Sequence, residues 1–97
     1  MIIIADSGGS KIDWRFLKKD GTIDQAHSPG FNPYYQPLND LNIIVDEHLV
    51  PQVKEPVSKI FYYGTGVSSE KNQLIIQEAF ARYWPKAQIE IGWDLLA

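Results

Sequence analysis

Six consecutive residues near the amino terminus combine the groups that a phosphate-binding turn would need: Asp6, Ser7, Gly8, Gly9, Ser10 and Lys11. The carboxylate of Asp6 follows a short apolar run and could take a hydrated Mg²⁺ as a hard oxygen ligand. The two glycines remove side chains, so that backbone N–H groups can approach a phosphate closely. Ser10 adds a hydroxyl donor and Lys11 a point charge. The hexapeptide is neither a Walker A loop nor a dinucleotide fingerprint, because its glycine spacing fits neither and a strand follows instead of a helix. Since short motifs over-predict, a plain Gly-Gly hairpin with an aspartate at its shoulder explains it equally well.

Asp94 is the second candidate carboxylate, and it follows the last predicted strand as Asp6 follows the first. Parallel neighbouring strands would bring both residues to one edge of a sheet, the edge at which open α/β sheets bind ligands. A general base that accepts a hydroxyl proton would be well placed there. The structural alternative is that Asp94 caps a helix opened by residues 95–97.

Two further segments offer small or aromatic side chains to a ligand. Gly64, Thr65 and Gly66 end another predicted strand, and their small size would let a ligand approach the backbone. In segment 30–35, Asn32 offers both donors and an acceptor, and its aromatic neighbours could pack on sugar rings or bases. The structural alternatives are a common strand-to-helix turn for the first segment and an Asx-turn held by an aromatic plug for the second.

The strands that would position these residues are predicted from runs of β-branched or alternating apolar residues: 2–5, 12–17, 22–27, 60–63 and 87–91. The first run is continuously apolar, which is typical of a central strand buried on both faces. The segment 28–37 is expected to contain no regular structure, because three prolines and a glycine interrupt it.

Two helices complete the predicted order β-β-β-α-β-α-β. The first begins at about Asn39 or Asp40, either of which could cap it. The second begins at Ser68 or Ser69 and ends just before Pro85. This order predicts an α/β sandwich whose later strands are joined by right-handed helical crossovers and are therefore parallel.

Composition restricts the class of protein further. A chain of 97 residues is long enough for one compact domain and too short for two of ordinary size. Its formal charge of −3 gives no general attraction for nucleic acid or an anionic membrane, and its lack of cysteine excludes thiolate chemistry within it. The early apolar run is too short to span a membrane and lacks the basic start of a signal peptide. We therefore expect a cytoplasmic protein with no nucleic-acid or membrane partner.

Residues 6–14 resemble the first phosphate motif of the actin-like, sugar-kinase and Hsp70 superfamily. More narrowly, they resemble the BadF/BadG/BcrA/BcrD-type ATPases, the group that contains N-acetylglucosamine kinases. The resemblance continues through residues 30–33, 61–66 and 93–97, in the family's order and at suitable separations. It implies a ribonuclease H-like lobe with a mixed five-stranded sheet in which only the second strand is antiparallel. The chain would be an N-terminal lobe that stops just after Asp94, without the adenine-binding C-terminal lobe.

The resemblance also assigns a role to each candidate residue by position. Asp6 would hold Mg²⁺, and Asp94 would be the general base on the hydroxyl that is phosphorylated. The residues that would face the phosphates of ATP are Gly8, Gly9, Ser10 and Lys11. Those that would bind the sugar are Asn32, Thr65 and Gly66. This sequence departs from the family pattern at Ile12, where a hydroxyl residue is usual, and at Trp93, where a smaller residue is commoner.

The leading hypothesis is an ATP-dependent kinase of N-acetylglucosamine that uses ATP, Mg²⁺ and a small-molecule sugar. Its own C-terminal lobe would be the principal partner, and the full-length form could be a homodimer. The 97-residue chain could not close over ATP by itself and is expected to be inactive. One alternative is a non-catalytic sugar-sensing regulator or an ATPase activator of a partner enzyme. Another is a ribonuclease H-like nuclease with Asp6 and Asp94 in a metal-binding cluster, although the chain is acidic and lacks a basic stripe.

Overall fold

The computed structural model describes residues 1–8, 10–64 and 66–92. Its five strands are β1 (Ile2–Ser7), β2 (Lys11–Leu17), β3 (Ile23–Pro29), β4 (Lys59–Gly64) and β5 (Gln88–Gly92). Its two α-helices are α1 (Leu38–Ile44), which lies between β3 and β4, and α2 (Glu70–Tyr83), which lies between β4 and β5. None of the helices in these ranges is long and apolar enough to cross a bilayer.

The strands form one mixed sheet in the spatial order β3-β2-β1-β4-β5. Strand β2 is antiparallel to β1 and to β3, whereas β1, β4 and β5 run parallel to one another. The predicted α/β fold with a mixed five-stranded sheet is therefore confirmed. Because β1, β4 and β5 run in one direction, their carboxyl ends lie along the same edge of the sheet, which we call the carboxyl edge.

Buried and more exposed residues alternate along β2, and the buried ones form much of the core. Ile12, Trp14 and Phe16 all point to one face of the sheet and are fully buried. The indole Nε1 of Trp14 donates to Ser28 Oγ at 2.8 Å, and its ring meets Phe80 of α2 edge-on at 6.1 Å between centroids. Burial of so large a ring is favourable only if its N–H finds a partner, and the neighbouring strand supplies one.

Both helices pack on this same face. Helix α1 buries Leu41 and Ile44, and it continues through a π-helical turn (Val45–Leu49) and a 3₁₀ turn (Val50–Gln52). Helix α2 buries Ile76, Ala79 and Phe80, whose spacing places them on one face of the helix. The two helices and the helix-facing strand residues form a single hydrophobic cluster.

The expectation that residues 2–5 are buried on both faces is wrong for the described part of the chain. Ile3 and Ala5 are fully buried under the helices, whereas Ile2 and Ile4 on the opposite face are half-buried. The reason is that α1 and α2 share one side of the sheet, and no described helix covers the other.

Two local predictions, for the end of β3 and for the start of α1, also need correction. Strand β3 continues through Ser28 and Pro29, because an edge strand can accept a proline that lacks the backbone N–H. Helix α1 begins at Leu38 and has no side-chain cap, so neither Asn39 nor Asp40 caps it. Its first turn closes on the backbone instead, where the N–H of Asp40 donates to the carbonyl of Pro37 at 3.0 Å.

Candidate functional site

Three connections converge at the carboxyl edge: the β1–β2 turn, the loop between β3 and α1, and the turn from β4 into α2. The parallel register places Ser7, the last residue of β1, beside Gly64, the last residue of β4. Strand β5 reaches the same edge, since Gly92 pairs with Tyr63. The candidate residues Gly9, Thr65 and Asp94, together with Trp93, lie outside the described residues.

The β1–β2 turn is a tight hairpin. The N–H of Gly8 donates to the carbonyl of Lys11 at 2.8 Å, so this N–H is already used within the turn. A Cβ placed on Gly8 would meet only the Lys11 carbonyl oxygen, at an ordinary contact distance of 3.5 Å. The fold therefore does not require glycine at position 8. What Gly8 offers a ligand is open space, while Ser10 and the Lys11 side chain are exposed beside it.

Asp6 lies on the sheet face opposite the helices and is exposed. Directly across the β1–β2 ladder is Asp13, and both line a small depression together with Ile4 and Arg15. Asp13 is engaged with its own neighbour, because His27 Nε2 lies 2.9 Å from its Oδ1. Within the described ranges, no three His, Cys, Asp or Glu side chains come together as a metal site. An exposed carboxylate such as Asp6 fits a Mg²⁺ that keeps most of its waters.

The loop after β3 is held rigid by hydrogen bonds that centre on Asn32. Its side-chain Oδ1 accepts the N–H of Tyr34 at 3.0 Å, and its carbonyl accepts the N–H groups of Tyr35 and Gln36, both at 3.0 Å. The N–H of Asn32 donates in turn to Gln36 Oε1 at 2.9 Å. This is an Asx-turn, one of the two interpretations open from the sequence.

The Asx-turn leaves part of Asn32 for a ligand. Only the Oδ1 atom of the side chain is used within the turn, and the Nδ2 group donates to none of the described residues. An amide NH₂ group carries two donors, so Asn32 can close its turn and still bind a hydroxyl. Buried Phe31 and Pro33 anchor the backbone on both sides of it.

The turn from β4 into α2 contacts this loop through Gly66. Its φ of +77° lies in the left-handed region that favours glycine. A Cβ there would lie 2.5 Å from Asn32 Oδ1 and 3.2 Å from Tyr34 Cδ2, so a side chain has no room. Two residues that the sequence predicted as sugar ligands, Asn32 and Gly66, are thus brought into contact by the fold.

Asn72 holds Gly66 in place, and sequence reasoning missed it. Its Nδ2 donates to the Gly66 carbonyl at 2.7 Å, and its backbone N–H donates to the capping Ser69 Oγ at 3.2 Å. Asn72 is only 5% exposed. The available signal was a polar residue four positions before Ile76, on the side of α2 that packs against the core.

A buried layer beneath these connections links the β1–β2 turn to the loop between β3 and α1. Ser7 is buried, and its Oγ lies 3.5 Å from the carbonyl oxygen of Phe31. Gly64 packs tightly on it, because a Cβ on Gly64 would approach Ser7 Cβ to 2.8 Å. Above them, the N–H of Gly30 donates to the carbonyl of Ser10 at 3.2 Å, which ties the two connections together directly.

Tyr62 lies in this layer with its hydroxyl buried. Burial raises the pKa of Tyr62 to about 12, and the neighbouring Ser7 hydroxyl offsets part of that rise. Among the described residues, none completes a hydrogen bond of good geometry with the Tyr62 hydroxyl. The neutral phenol is the form that a site of low polarity favours.

A groove of about 400 Å³ lies at the opposite edge of the sheet, away from all of these residues. Its lining comes from the amino end of β1, the carboxyl end of β2 and the segment before β4: Met1, Ile2, Leu17, Lys18, Lys19, Glu55, Pro56 and Ser58. None of the residues predicted to carry chemistry is among them. Size alone therefore does not identify the candidate site, and we base it on the convergence of the three connections.

Comparison with solved structures gives an informative neighbour. A crystal structure from Porphyromonas gingivalis, described as a putative N-acetylglucosamine kinase, superposes with a TM-score of 0.83 at 25% sequence identity. The match covers 98% of this chain and 35% of that one. This chain is similar to one part of a putative sugar kinase. No family model matches the sequence, and no curated protein matches it. The resemblance drawn from residues 6–14 is confirmed by this neighbour, and the chain spans about a third of that protein's length.

Proposed function

We propose that this chain is the N-terminal lobe of an ATP-dependent sugar kinase that phosphorylates N-acetylglucosamine, with an actin-like, ribonuclease H-like fold. The observation that carries the proposal is the contact of Asn32 with Gly66 beside the β1–β2 turn. Two groups suited to a sugar and one turn suited to phosphates meet at the carboxyl edge, where α/β sheets bind ligands. The similarity to a putative N-acetylglucosamine kinase supports the same substrate class.

On the phosphate side, Gly8 supplies space and Lys11 supplies charge. The fold leaves room for a Cβ at position 8. The absence of a side chain there is therefore better explained by a ligand that approaches the backbone. The Lys11 ammonium is exposed, and it lies 4.0 Å from Asp13 Oδ1. An exposed ion pair at this long distance is weak, so Lys11 is free to turn toward an anion. Gly9 and Ser10 complete this turn in the proposal.

On the sugar side, the Nδ2 group of Asn32 donates to a ring hydroxyl, and Thr65 and Gly66 line the site. The Asx-turn keeps the amide oriented before the sugar arrives, so little conformational entropy is lost on binding. In the proposal Asp94 accepts the proton of the attacking hydroxyl, whose oxygen bonds to the γ-phosphorus as the bond to ADP breaks.

Asp6 is the residue proposed to hold Mg²⁺, through a carboxylate exposed next to the phosphate turn. A Mg²⁺ ion bound there would neutralise charge on the phosphate oxygens. The remaining work of this lobe is positioning, because phosphoryl transfer depends mainly on alignment and on charge stabilisation. We assign the protein to the cytoplasm, where ATP and Mg²⁺ are supplied together.

The test is an assay of the full-length polypeptide with ATP, Mg²⁺ and a panel of hexoses and hexosamines. We expect N-acetylglucosamine to be phosphorylated, and Asp94→Asn to lower kcat by about 100-fold or more with unchanged ATP affinity. We expect the 97-residue chain alone to be inactive. The proposal fails if no sugar in the panel accepts phosphate, or if Asp94→Asn retains full turnover.

A further inference from the structure

Two tyrosines stand exposed on the turn that follows Asn32. Tyr34 is 60% exposed and Tyr35 is 86% exposed, whereas Phe31 in the same loop is fully buried. The backbone beneath them is held by the Asn32 hydrogen bonds, so the rings are presented from a rigid support. Large aromatic side chains held at a surface without a packing role are typical of binding sites.

Tyr34 differs from Tyr35 in what it touches. The Cδ2 atom of Tyr34 lies 3.2 Å from the position that a Cβ on Gly66 would take, and the same position is 2.5 Å from Asn32 Oδ1. The ring of Tyr34 therefore borders the same spot at the carboxyl edge as the Asn32 amide. A ligand that reaches Asn32 and Gly66 meets the face or edge of this ring.

We propose that the Tyr34 ring is the wall on which the sugar ring packs, a role that rests on the sugar site proposed above. A pyranose has a face of C–H groups and a rim of hydroxyls, so it needs an apolar surface beside polar groups. Tyr34 supplies the apolar surface, and the Asn32 Nδ2 group supplies the donor. The ring thereby selects for a pyranose whose apolar face can lie on it, and Tyr34 is a specificity-determining residue.

The fold itself does not need this ring. The Asx-turn closes on the backbone N–H of Tyr34, which every residue except proline possesses. The side chain is more than half exposed, so truncation removes little buried surface. Tyr34→Ala should therefore leave the domain folded, and its effect on a sugar can be separated from an effect on stability.

Tyr35 provides a matched control, because it is the same residue type on the same turn and projects further into solvent. The experiment titrates N-acetylglucosamine into the ¹⁵N-labelled 97-residue chain and follows the Gly66 and Asn32 amide signals by NMR. We expect Tyr34→Ala to weaken binding by about 3- to 10-fold, the range for loss of one aromatic contact. Tyr34→Phe and Tyr35→Ala should bind within about twofold of the natural chain. Thermal unfolding of each variant checks that it is folded.

The outcomes separate this inference from the proposed function. If Tyr34→Ala binds the sugar as tightly as the natural chain while Asn32→Ala does not, the role of Tyr34 is wrong and the sugar site stands. Equal losses in Tyr34→Ala and Tyr35→Ala would also overturn it, because the two side chains would then act only through the turn. If the natural chain shows no shift at any sugar concentration, both the wall and the sugar site of this lobe are rejected.

Discussion

Gly8 and Gly66 show that the fold requires glycine at one of these positions and tolerates a side chain at the other. A Cβ on Gly8 would make only an ordinary contact of 3.5 Å with the Lys11 carbonyl oxygen, so the turn has room for a larger residue. Gly66 has a φ of +77° and would place a Cβ against Asn32. The sequence predicts both as site residues, but only the surroundings separate their roles.

The first prediction follows from this difference. Gly8→Ala should change the free energy of unfolding by less than about 1 kcal/mol, because no contact is strained. Gly66→Ala should lower the free energy of unfolding by about 1–3 kcal/mol or more, because alanine is strained at positive φ and must also displace Asn32. Urea unfolding of both variants measures this.

The ligand role proposed for Gly8 is tested by measuring the binding of ATP. In the full-length polypeptide, Gly8→Ala should weaken ATP binding while leaving the protein folded. Equal destabilisation by the two substitutions would contradict this interpretation and make Gly8 a structural glycine.

At the scale of elements, helix α2 was predicted closely because its signals are local. Its start is marked by Ser69, whose Oγ accepts the N–H of Asn72 at 3.2 Å, and its end precedes Pro85. Helix α1 was predicted less well, since its first turn closes on the carbonyl of Pro37 without a side-chain cap. A helix start without a side-chain cap lacks the capping residue that marks such a start in a sequence.

The second prediction concerns this cap. Ser69→Ala should lower the free energy of unfolding by about 1 kcal/mol, because one N–H of the first turn of α2 loses its partner. Ser68→Ala is the matched control: it is exposed and outside the cap, and it should change stability by less than about 0.5 kcal/mol. Chemical denaturation of both variants compares them. An equal effect of the two substitutions would show that the Ser69 hydroxyl does not stabilise α2.

At the scale of the whole molecule, a single buried face holds the strands, the helices and the site together. Tyr62 belongs to this face, and its ring lies 5.9 Å from that of Phe80 in α2. Its hydroxyl points into the layer under the three converging connections, beside Ser7. The stability of the domain and the charge state of this phenol are therefore linked.

The third prediction is the pH dependence that results. The pKa of Tyr62 is about 12 in the folded chain, above the ordinary value of 10.0 that it regains on unfolding. The folded state holds this proton more tightly. The contribution of Tyr62 to the free energy of unfolding is therefore fully present below pH 10 and is lost as the pH rises toward 12. The loss should approach about 3 kcal/mol.

Tyr62→Phe isolates this effect, because phenylalanine keeps the ring and removes the ionisable group. Urea unfolding of the natural chain and of the variant, repeated across this alkaline range, should show a steeper loss of stability in the natural chain. Identical slopes would show that the Tyr62 hydroxyl ionises as easily in the folded chain as in water.

The sequence alone predicted the α/β class and nearly all the strands and helices, because alternation, glycine turns and prolines act between near neighbours. It also predicted Asn32 and Gly66 as site residues. Only the tertiary structure decided that these two touch, that the Gly8 N–H is used within its turn, and that Asn72 holds Gly66. It also decided that both helices cover one face. Such facts depend on contacts between residues far apart in the chain, which no local pattern encodes.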